Sequence, residues 1–452
     1  MKLFHSKLLN PLVILLFLPV TAWATNGYFT HGTSTAEKGL AGAGVAFSQD
    51  TLAAANNPAG MVWQGARYDV GASVFSPMRS YSSTGGPSIP AGATCPAAAP
   101  ACPFSIGEGD QSIDSENEAF LIPQFGYNWV LDSDSTIGVS VYGNGGMNTE
   151  YKGGTAVLGM PGFPTMAAPG TYGDGTAGVD LSQLFISTTY AAKLSATTSW
   201  GVSGIVAYQR FEAKGLGNFA AFSTDPDNLS DNGYSTSSGI GVRIGIQTEI
   251  SPGIRLGAAY QPKINMSEFD DYSGLFAEDG DFDIPSNYTL GLAMDVGEKG
   301  VLLVDFQQIN YEDVASVSNS ITPLTDGSCG PSSSDGCLGG KDGAGFGWQN
   351  MGILKIGYQW QVDKMTWRVG YSKGDQPIPS SEVVFNILAP GVIEEHLTFG
   401  FTRQLDAASD FSFALMYAPS FSVDGENTFD PSQNVDLEMD QYELTFAYNR
   451  RL

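Results

Sequence analysis

Residues 238–250, SGIGVRIGIQTEI, put Ile240, Val242, Ile244 and Ile246 on one side of an extended chain and Arg243 and Gln247 on the other. Period-two alternation is the mark of a strand, because successive side chains point to opposite faces. The pattern recurs. IRLGAAYQPKI sets Ile254, Leu256, Ala258 and Tyr260 against Arg255, Gln261 and Lys263. MTWRVGYSK sets Trp367, Val369 and Tyr371 against Arg368 and Ser372, and the last segment sets Tyr442, Leu444, Phe446 and Tyr448 against Gln441, Glu443 and Thr445. A soluble sandwich also alternates, but its outer faces carry more Lys and Glu than these segments do. Apolar-out and polar-in is the pattern of a barrel that faces lipid and encloses a polar lumen.

Composition agrees. Charged residues make up 15% of the chain, against about 25% in ordinary soluble domains. Gly numbers 56, Phe 26 and Tyr 19. After the N-terminus no apolar run is long enough for a membrane helix. About fourteen alternating segments follow Arg67, an even number as bacterial barrels require. Short turns join them in pairs, at DSDS after Leu131, ATTS after Ser195, SPG after Ile250, EKG after Gly297, DK after Val362 and AASD after Asp406. Long loops alternate with these near 79–117, 152–180, 216–234, 272–286, 319–349, 380–395 and 426–436. The expected fold is an all-β membrane protein: a 14-stranded antiparallel transmembrane β-barrel over 67–452, plugged by a small N-terminal hatch over 25–66.

Residues 1–24 read as a secretory signal peptide, with Lys2 and Lys7, an apolar run and a small-x-small site at Ala22-Trp23-Ala24. Residues 25–66 are rich in small residues that could pack inside a lumen. Within them SQDTLAAANNPAG predicts one short helix, started by Ser48 or Asp50 and followed by Pro58. The four cysteines fall in two close pairs, Cys95/Cys102 and Cys329/Cys337, inside Pro/Gly/Ser-rich loops. In an oxidising compartment these predict two local disulfides on the cell-surface side.

A formal charge of −26 argues against nucleic-acid binding. No cofactor and no metal site is expected, because the acidic loops lack EF-hand spacing and the cysteine spacing is too wide for zinc. No enzyme is expected either. G-x-S-x-G and the phosphate-binding G-x-x-x-x-G-K-[ST] are both absent, and only His31 and His396 remain once His5 leaves with the leader.

One predicted strand is interrupted. In SVYGNGGMNTEY, Gly143, Asn144, Gly145 and Gly146 break an otherwise regular run. On residues alone this is either an ordinary bulge or a deliberate gap.

Together with NGYFTHGTSTAEKGLAGAGVAFSQDTLAAANNPAG near the start, which contains Phe29 and Asn57-Pro58-Ala59, and IPSSEVVFNILAPGVIEEHLTFGFT at 378–402, the interrupted strand makes the chain resemble the FadL family of outer-membrane transporters. The resemblance covers essentially the whole mature chain. It implies a fourteen-stranded barrel closed by an N-terminal hatch, with a third strand kinked inward at Gly143–Gly146 to leave a hole in the wall. It implies passive uptake of long-chain fatty acids or related hydrophobic compounds in the outer membrane of a Gram-negative bacterium, as a monomer among lipid and lipopolysaccharide. A general or hydrocarbon-specific diffusion porin is the alternative.

Two further expectations concern the ligand. Leu216, Phe219, Phe222, Leu275, Phe276 and Phe282 form apolar clusters in two loops; they are either small loop cores or an exposed binding surface. The resemblance implies the second, a capture groove. A carboxylate head group would need a cation inside the lumen. Alternation points Arg243, Arg255, Lys263, Lys355 and Arg368 inward, with Arg243 and Lys263 expected mid-strand. The chain ends Arg450, Arg451, Leu452 rather than on the aromatic residue common in barrel chains.

Overall fold

All six of the expected short turns lie between paired strands. The computed structural model describes residues 26–452 except Pro100 and Pro331; the leader expected at 1–24 lies outside the described residues. The barrel strands are β1 (Arg67–Thr84), β2 (Phe120–Val130), β3 (Ser135–Asn148), β4 (Gly178–Lys193) and β5 (Thr198–Lys214). Then come β6 (Ser235–Ser251), β7 (Ile254–Gln261), β8 (Asn287–Val296), β9 (Gly300–Ile309) and β10 (Met351–Val362). The last are β11 (Met365–Gly374), β12 (Glu395–Gln404), β13 (Ser409–Glu426) and β14 (Asn434–Arg451).

Each strand pairs antiparallel with the next, and β14 closes on β1 from Arg67 opposite Arg451 to Thr84 opposite Asn434. The result is a closed 14-strand antiparallel barrel. Closure removes the free sheet edge that hydrocarbon would not tolerate. The outer face carries exposed Val70, Val74, Phe125, Ile186, Val206, Ile244, Leu290, Phe306, Leu354, Leu397 and Leu444. That is an apolar band, the reverse of a soluble protein's surface. No helix among the described residues is long and apolar enough to cross a membrane, a finding that says nothing of strands.

The loop boundaries shift in physically intelligible ways. β1 runs five residues past the expected start of its loop, because Gln111–Asp114 pairs with its outer end. β7 stops at Gln261, ten residues before the expected loop, because Pro262 cannot donate to a ladder.

The cysteines pair as expected, within separate long loops: Cys95 with Cys102 and Cys329 with Cys337. Their surroundings are packed, which the Pro/Gly/Ser-rich loop sequence does not show. Cys337 is buried, and so is Cys95, while Cys102 and Cys329 are half-buried. The cause at Cys337 is a contact between loops distant in sequence. Leu338 N donates to Phe222 O, and Thr224 N donates to Leu338 O, both at 2.9 Å. These bonds lay residues 337–338 along the loop at 216–234 and cover Cys337.

Residues 26–63 pack against inward-facing side chains of the barrel strands. A four-residue helix, α1 (Thr35–Lys38), opens on a capping box in which Ser34 and Glu37 satisfy each other's backbone N–H. The single helix expected from SQDTLAAANNPAG is instead two 3₁₀ turns. Asp50 caps Thr51–Ala55, and Asn57 caps Pro58–Trp63 with proline in the first turn. Pro58 disfavours a helical Asn57, which adopts φ −140° and ψ 105°. Barrel side chains hold the segment. Asp305 on β9 accepts from Gly44 N at 2.7 Å and Val45 N at 2.9 Å, and Asp69 on β1 accepts from Thr51 N at 2.8 Å. Lys38 is ion-paired with Glu443 on β14.

Close approach also depends on inward glycines. A Cβ on Gly201 would lie 2.5 Å from Pro58 C, one on Gly245 2.1 Å from Asn57 Oδ1, and one on Gly257 2.2 Å from Val45 O. At these three positions the wall carries no side chain, which leaves room for Pro58, Asn57 and Val45. Asn57 itself is fully buried. Its Nδ2 donates to Val45 O at 2.7 Å and Ile246 O at 3.0 Å, while its Oδ1 accepts from Ala59 N at 3.0 Å. Asn57→Ala is therefore expected to destabilise this segment by about 2–3 kcal/mol through lost buried hydrogen bonds and a lost cap. Faster amide exchange at residues 45–63, with the heat-modifiable barrel band unchanged, is the expected readout.

Candidate functional site

The wall is not hydrogen-bonded continuously between β2 and β3. Their ladder runs from Val130 opposite Thr136 to Phe125 opposite Val141 and ends there. β2 continues outward through Phe120–Gln124, paired with β1 on its other edge. Pro123 lies in this half-paired stretch and has no N–H to leave unmet. Leu121 beside it is 51% exposed on the outer face.

At the same level β3 becomes buried on both faces, while staying paired with β4 as far as Asn148 opposite Asp180. Its residues alternate in exposure as far as Val141; from Tyr142 to Asn148 every one is buried. The register against β4 shifts between Gly143 and Gly145, a bulge with Asn144 unpaired in the ladder. The inward edge of β3 then pairs with the start of the described chain. Gly146 N donates to Tyr28 O at 2.9 Å, and Thr30 N donates to Asn144 O at 3.1 Å. A Cβ on Gly145 would fall 1.9 Å from Tyr28 O, so only glycine lets the N-terminal arm lie this close. The outer rim of the break is closed by Glu116 N donating to Glu150 O at 2.9 Å, and by an exposed Lys152–Glu116 ion pair.

Behind the break is a polar cavity of about 50 Å³, lined by Phe29, His31, Glu37, Tyr142, Asn144, Arg243, Asn287, Gln307 and Lys355. Arg243 donates to Gln261 Oε1 at 2.7 Å and Lys355 to His31 O at 3.1 Å. Among the described residues, no carboxylate lies within ion-pair distance of either cation. Burial, reinforced by Asp50, pushes the Glu37 carboxyl up to about 8. Burial and the nearby Lys38 and Lys355 hold His31 well below its ordinary value. Asn287 Nδ2 and Gln307 Oε1 are buried without a hydrogen-bond partner. Buried polar atoms are normally satisfied, so the cavity has unused donors and unused acceptors beside Arg243 and Lys355; Asp305 lies opposite Lys355 in the β9–β10 register.

The other lumen candidates are placed elsewhere. Lys263 is not mid-strand: it lies beyond the end of β7, its side chain 38% exposed, and pairs with Asp283 at 2.7 Å. Arg255 pairs with Asp295 near a short turn and stacks on Phe47 at 4.6 Å. Arg368 donates to Gln49 Oε1 at 2.9 Å and Thr402 Oγ1 at 2.7 Å, tying the N-terminal segment to the wall.

The expected exposed groove is also corrected. Leu216, Phe219, Phe276 and Phe282 are at most 4% exposed, and Phe222 and Leu275 are half-buried. The long loops fold inward and bury these side chains against one another. Leu216, Phe219, Leu275 and Phe276 join Phe211, Phe346, Phe385 and Leu388 around an almost wholly apolar compartment in the barrel's long-loop end. Its free space is about 30 Å³, against roughly 300 Å³ or more for an occupied pocket; a ligand here would have to part the side chains. From this compartment a chain of rings leads to the break. Phe211 and Phe276 are 4.6 Å apart, Phe276 and Phe282 4.8 Å, Phe282 and Tyr28 5.9 Å, and Tyr28 and Phe29 5.3 Å.

Sequence reasoning assigned no role to Tyr28, Tyr311 and Trp348, which pack together at this junction. Their only signal was a large aromatic inside loop sequence. Phe385 and Leu388 belong to the quoted 378–402 segment, whose residues 383–393 are all buried in the long-loop end.

The sequence matches no family model and no curated protein. Solved structures do match over nearly their whole length. The Pseudomonas putida toluene transporter TodX is 15% identical, with a TM-score of 0.61 covering 93% of this chain and 99% of that one. The Ralstonia pickettii toluene transporter TbuX is 17% identical, with a TM-score of 0.59 and the same coverage of each chain. A Pseudomonas aeruginosa FadL homologue is 14% identical, with a TM-score of 0.62 covering 94% of this chain and 98% of that one. The chain shares their fold. Within that FadL-like barrel, the kinked β3, the half-paired β2 and the cavity behind them lie side by side in one part of the wall.

Proposed function

We propose that this protein is an outer-membrane channel for hydrophobic compounds, which leave the barrel sideways through the break between β2 and β3. The reading rests on one observation: the ladder ends at Phe125 and Val141, and β3 turns inward there instead of sealing the wall. An apolar ligand leaving by this route passes into lipid. It does not cross an aqueous compartment, where each Å² of apolar surface costs about 25 cal/mol.

In this reading residues 25–66 form a hatch, and the aromatic chain from Phe211 to Phe29 carries the apolar part of the ligand. Arg243 and Lys355 receive a carboxylate or other anionic head. TodX and TbuX are described as toluene transporters, and the almost wholly apolar lining of the outer compartment favours a second reading, a channel for uncharged hydrocarbons. The orphaned polar atoms around Arg243 and Lys355 favour the first.

Deleting residues 26–66 separates a plugged channel from an open pore. The full chain is expected to show little ionic conductance in planar bilayers. The truncated chain is expected to show larger and longer openings. Unchanged conductance would remove the hatch role.

A further inference from the structure

The formal charge is −26, yet two stretches carry no charge at all: residues 85–107 and residues 153–173. The fold brings these stretches together. Ser105–Ile106, Thr155–Leu158 and Met166–Pro169 form a separate three-stranded sheet at the long-loop end. Beyond it the two loops interlock. Cys95 N donates to Phe163 O at 3.0 Å, Gly162 N to Cys95 O at 2.9 Å, and Thr165 N to Ala93 O at 2.8 Å. The Cys95–Cys102 disulfide ties one of them. The tip they build presents Met160 at 65% exposure, Phe163 at 60% and Met166 at 64%. The other exposed residues of these loops are proline, alanine and glycine, with Ser88 and Thr94.

Single exposed apolar residues need no explanation, but a cluster does. Three features narrow what this one meets. The exposed side chains are two methionines and one ring, and methionine adapts its shape to an irregular or fluid surface. It lacks both charge and amide side chains, so nothing on it could orient a specific partner. The long loop at 268–283, by contrast, is acidic, with Glu268, Asp270, Asp271, Glu278, Asp279, Asp281 and Asp283. The tip is thus a part of this face that does not repel an anionic amphiphile and that can enter an apolar phase without burying a charge. The same two loops frame the break, since one leads into β2 and the other leaves β3.

We propose that this disulfide-tied tip is an adsorption surface for fluid hydrocarbon, the uncharged surface of a substrate droplet or micelle, and that it holds the channel mouth against that phase. The proposal rests on the reading of the protein as a hydrophobic-compound channel. It adds where the ligand is first met, in place of the loop clusters that the fold buries.

The test uses the full chain in lipid nanodiscs, so that the barrel's outer band is already covered. The M160K/F163D/M166K variant alters only exposed side chains, and a heat-modifiable band checks its folding. Wild-type discs are expected to bind hexadecane emulsion at least tenfold more than variant discs, with empty discs as the baseline. In proteoliposomes, uptake of a labelled hydrophobic ligand from the emulsion should fall about tenfold in the variant. Uptake of the same ligand supplied by cyclodextrin should not change. Equal adsorption by wild type and variant would overturn the proposal, as would equal loss of uptake from both sources. If wild type takes up ligand from neither source, the channel reading fails, and the adsorption arm still decides the tip. Cys95→Ser with Cys102→Ser gives a second variant without added charge; it is expected to adsorb less than wild type and more than the charged variant.

Discussion

Gly145→Val is expected to lower uptake of a hydrophobic ligand at least tenfold while leaving a correctly folded barrel. The new Cβ would meet Tyr28 O at 1.9 Å, a distance that no side-chain rotation relieves, because the obstacle is backbone. Either β3 moves outward, toward the unpaired edge of β2, or the N-terminal arm moves away from β3. Overpacking of this kind costs about 1–3 kcal/mol, enough to change the population of the native arrangement by roughly 5- to 150-fold. Gly145 pairs only with Gln183 of β4 in the barrel ladders and the remaining seams do not involve it, so heat modifiability should survive. Normal uptake by an inserted Gly145→Val barrel would mean that ligand does not leave here. Gly145→Ala, with the smallest added group, should fall between wild type and valine.

The second large effect separates the two ligand chemistries. Replacing Arg243 and Lys355 together with methionine keeps the length and apolar stems of these side chains and removes both cations. A charge-assisted hydrogen bond contributes about 1.5–3 kcal/mol, and each 1.4 kcal/mol is about tenfold in affinity. A long-chain carboxylate is therefore expected to bind about 10- to 100-fold more weakly, and a hydrocarbon of equal length within about threefold of wild type. Lys263→Met is the matched control, because Lys263 already has Asp283 at 2.7 Å outside the cavity. Direct titration of both ligands into detergent-purified protein reads all three variants. Equal losses for the two ligands would assign Arg243 and Lys355 to structure, and no loss for either would move the head-group site elsewhere.

The barrel was legible because its pattern is local. Ile240 to Ile246 alternate with Arg243 inside, and the structure exposes Ile240, Val242, Ile244 and Ile246 while burying Arg243. A short turn such as Asp363-Lys364 shows its type in two residues. The cysteine pairing was local in the same way, whereas the burial of Cys337 was not, since it depends on the loop that carries Phe222. The interruption at Gly143–Gly146 was visible within a few residues. What the interruption does was not visible, because it depends on Tyr28 and Thr30 lying against β3 and on β2 losing its partner at Pro123. The first relation joins residues more than a hundred positions apart, and the second shows only as the absence of pairing beyond Phe125 and Val141. Lys263 was misplaced because alternation was carried across Pro262, where the ladder ends. The loop aromatics were misread because sequence shows that Phe219 and Phe276 are apolar, but not that their loops fold into the barrel mouth to meet Phe385 and Leu388. The inward glycines at 201, 245 and 257 contributed to a count typical of barrels. Their use as clearance for Val45, Asn57 and Pro58 emerges only when the segment is in place.

The route can be read directly by photolabelling. A hydrophobic ligand carrying a diazirine at its tail would be loaded into the full chain in nanodiscs, irradiated, and its adducts located by peptide mass spectrometry. Release between β2 and β3 predicts labels on Tyr28 and Phe29, on residues 121–124 and on residues 141–146. Labels concentrated instead on Phe47, Trp63 and the short-turn end around Thr197 and Gln247, with none at the break, would show that ligand passes through the hatch and would contradict sideways release.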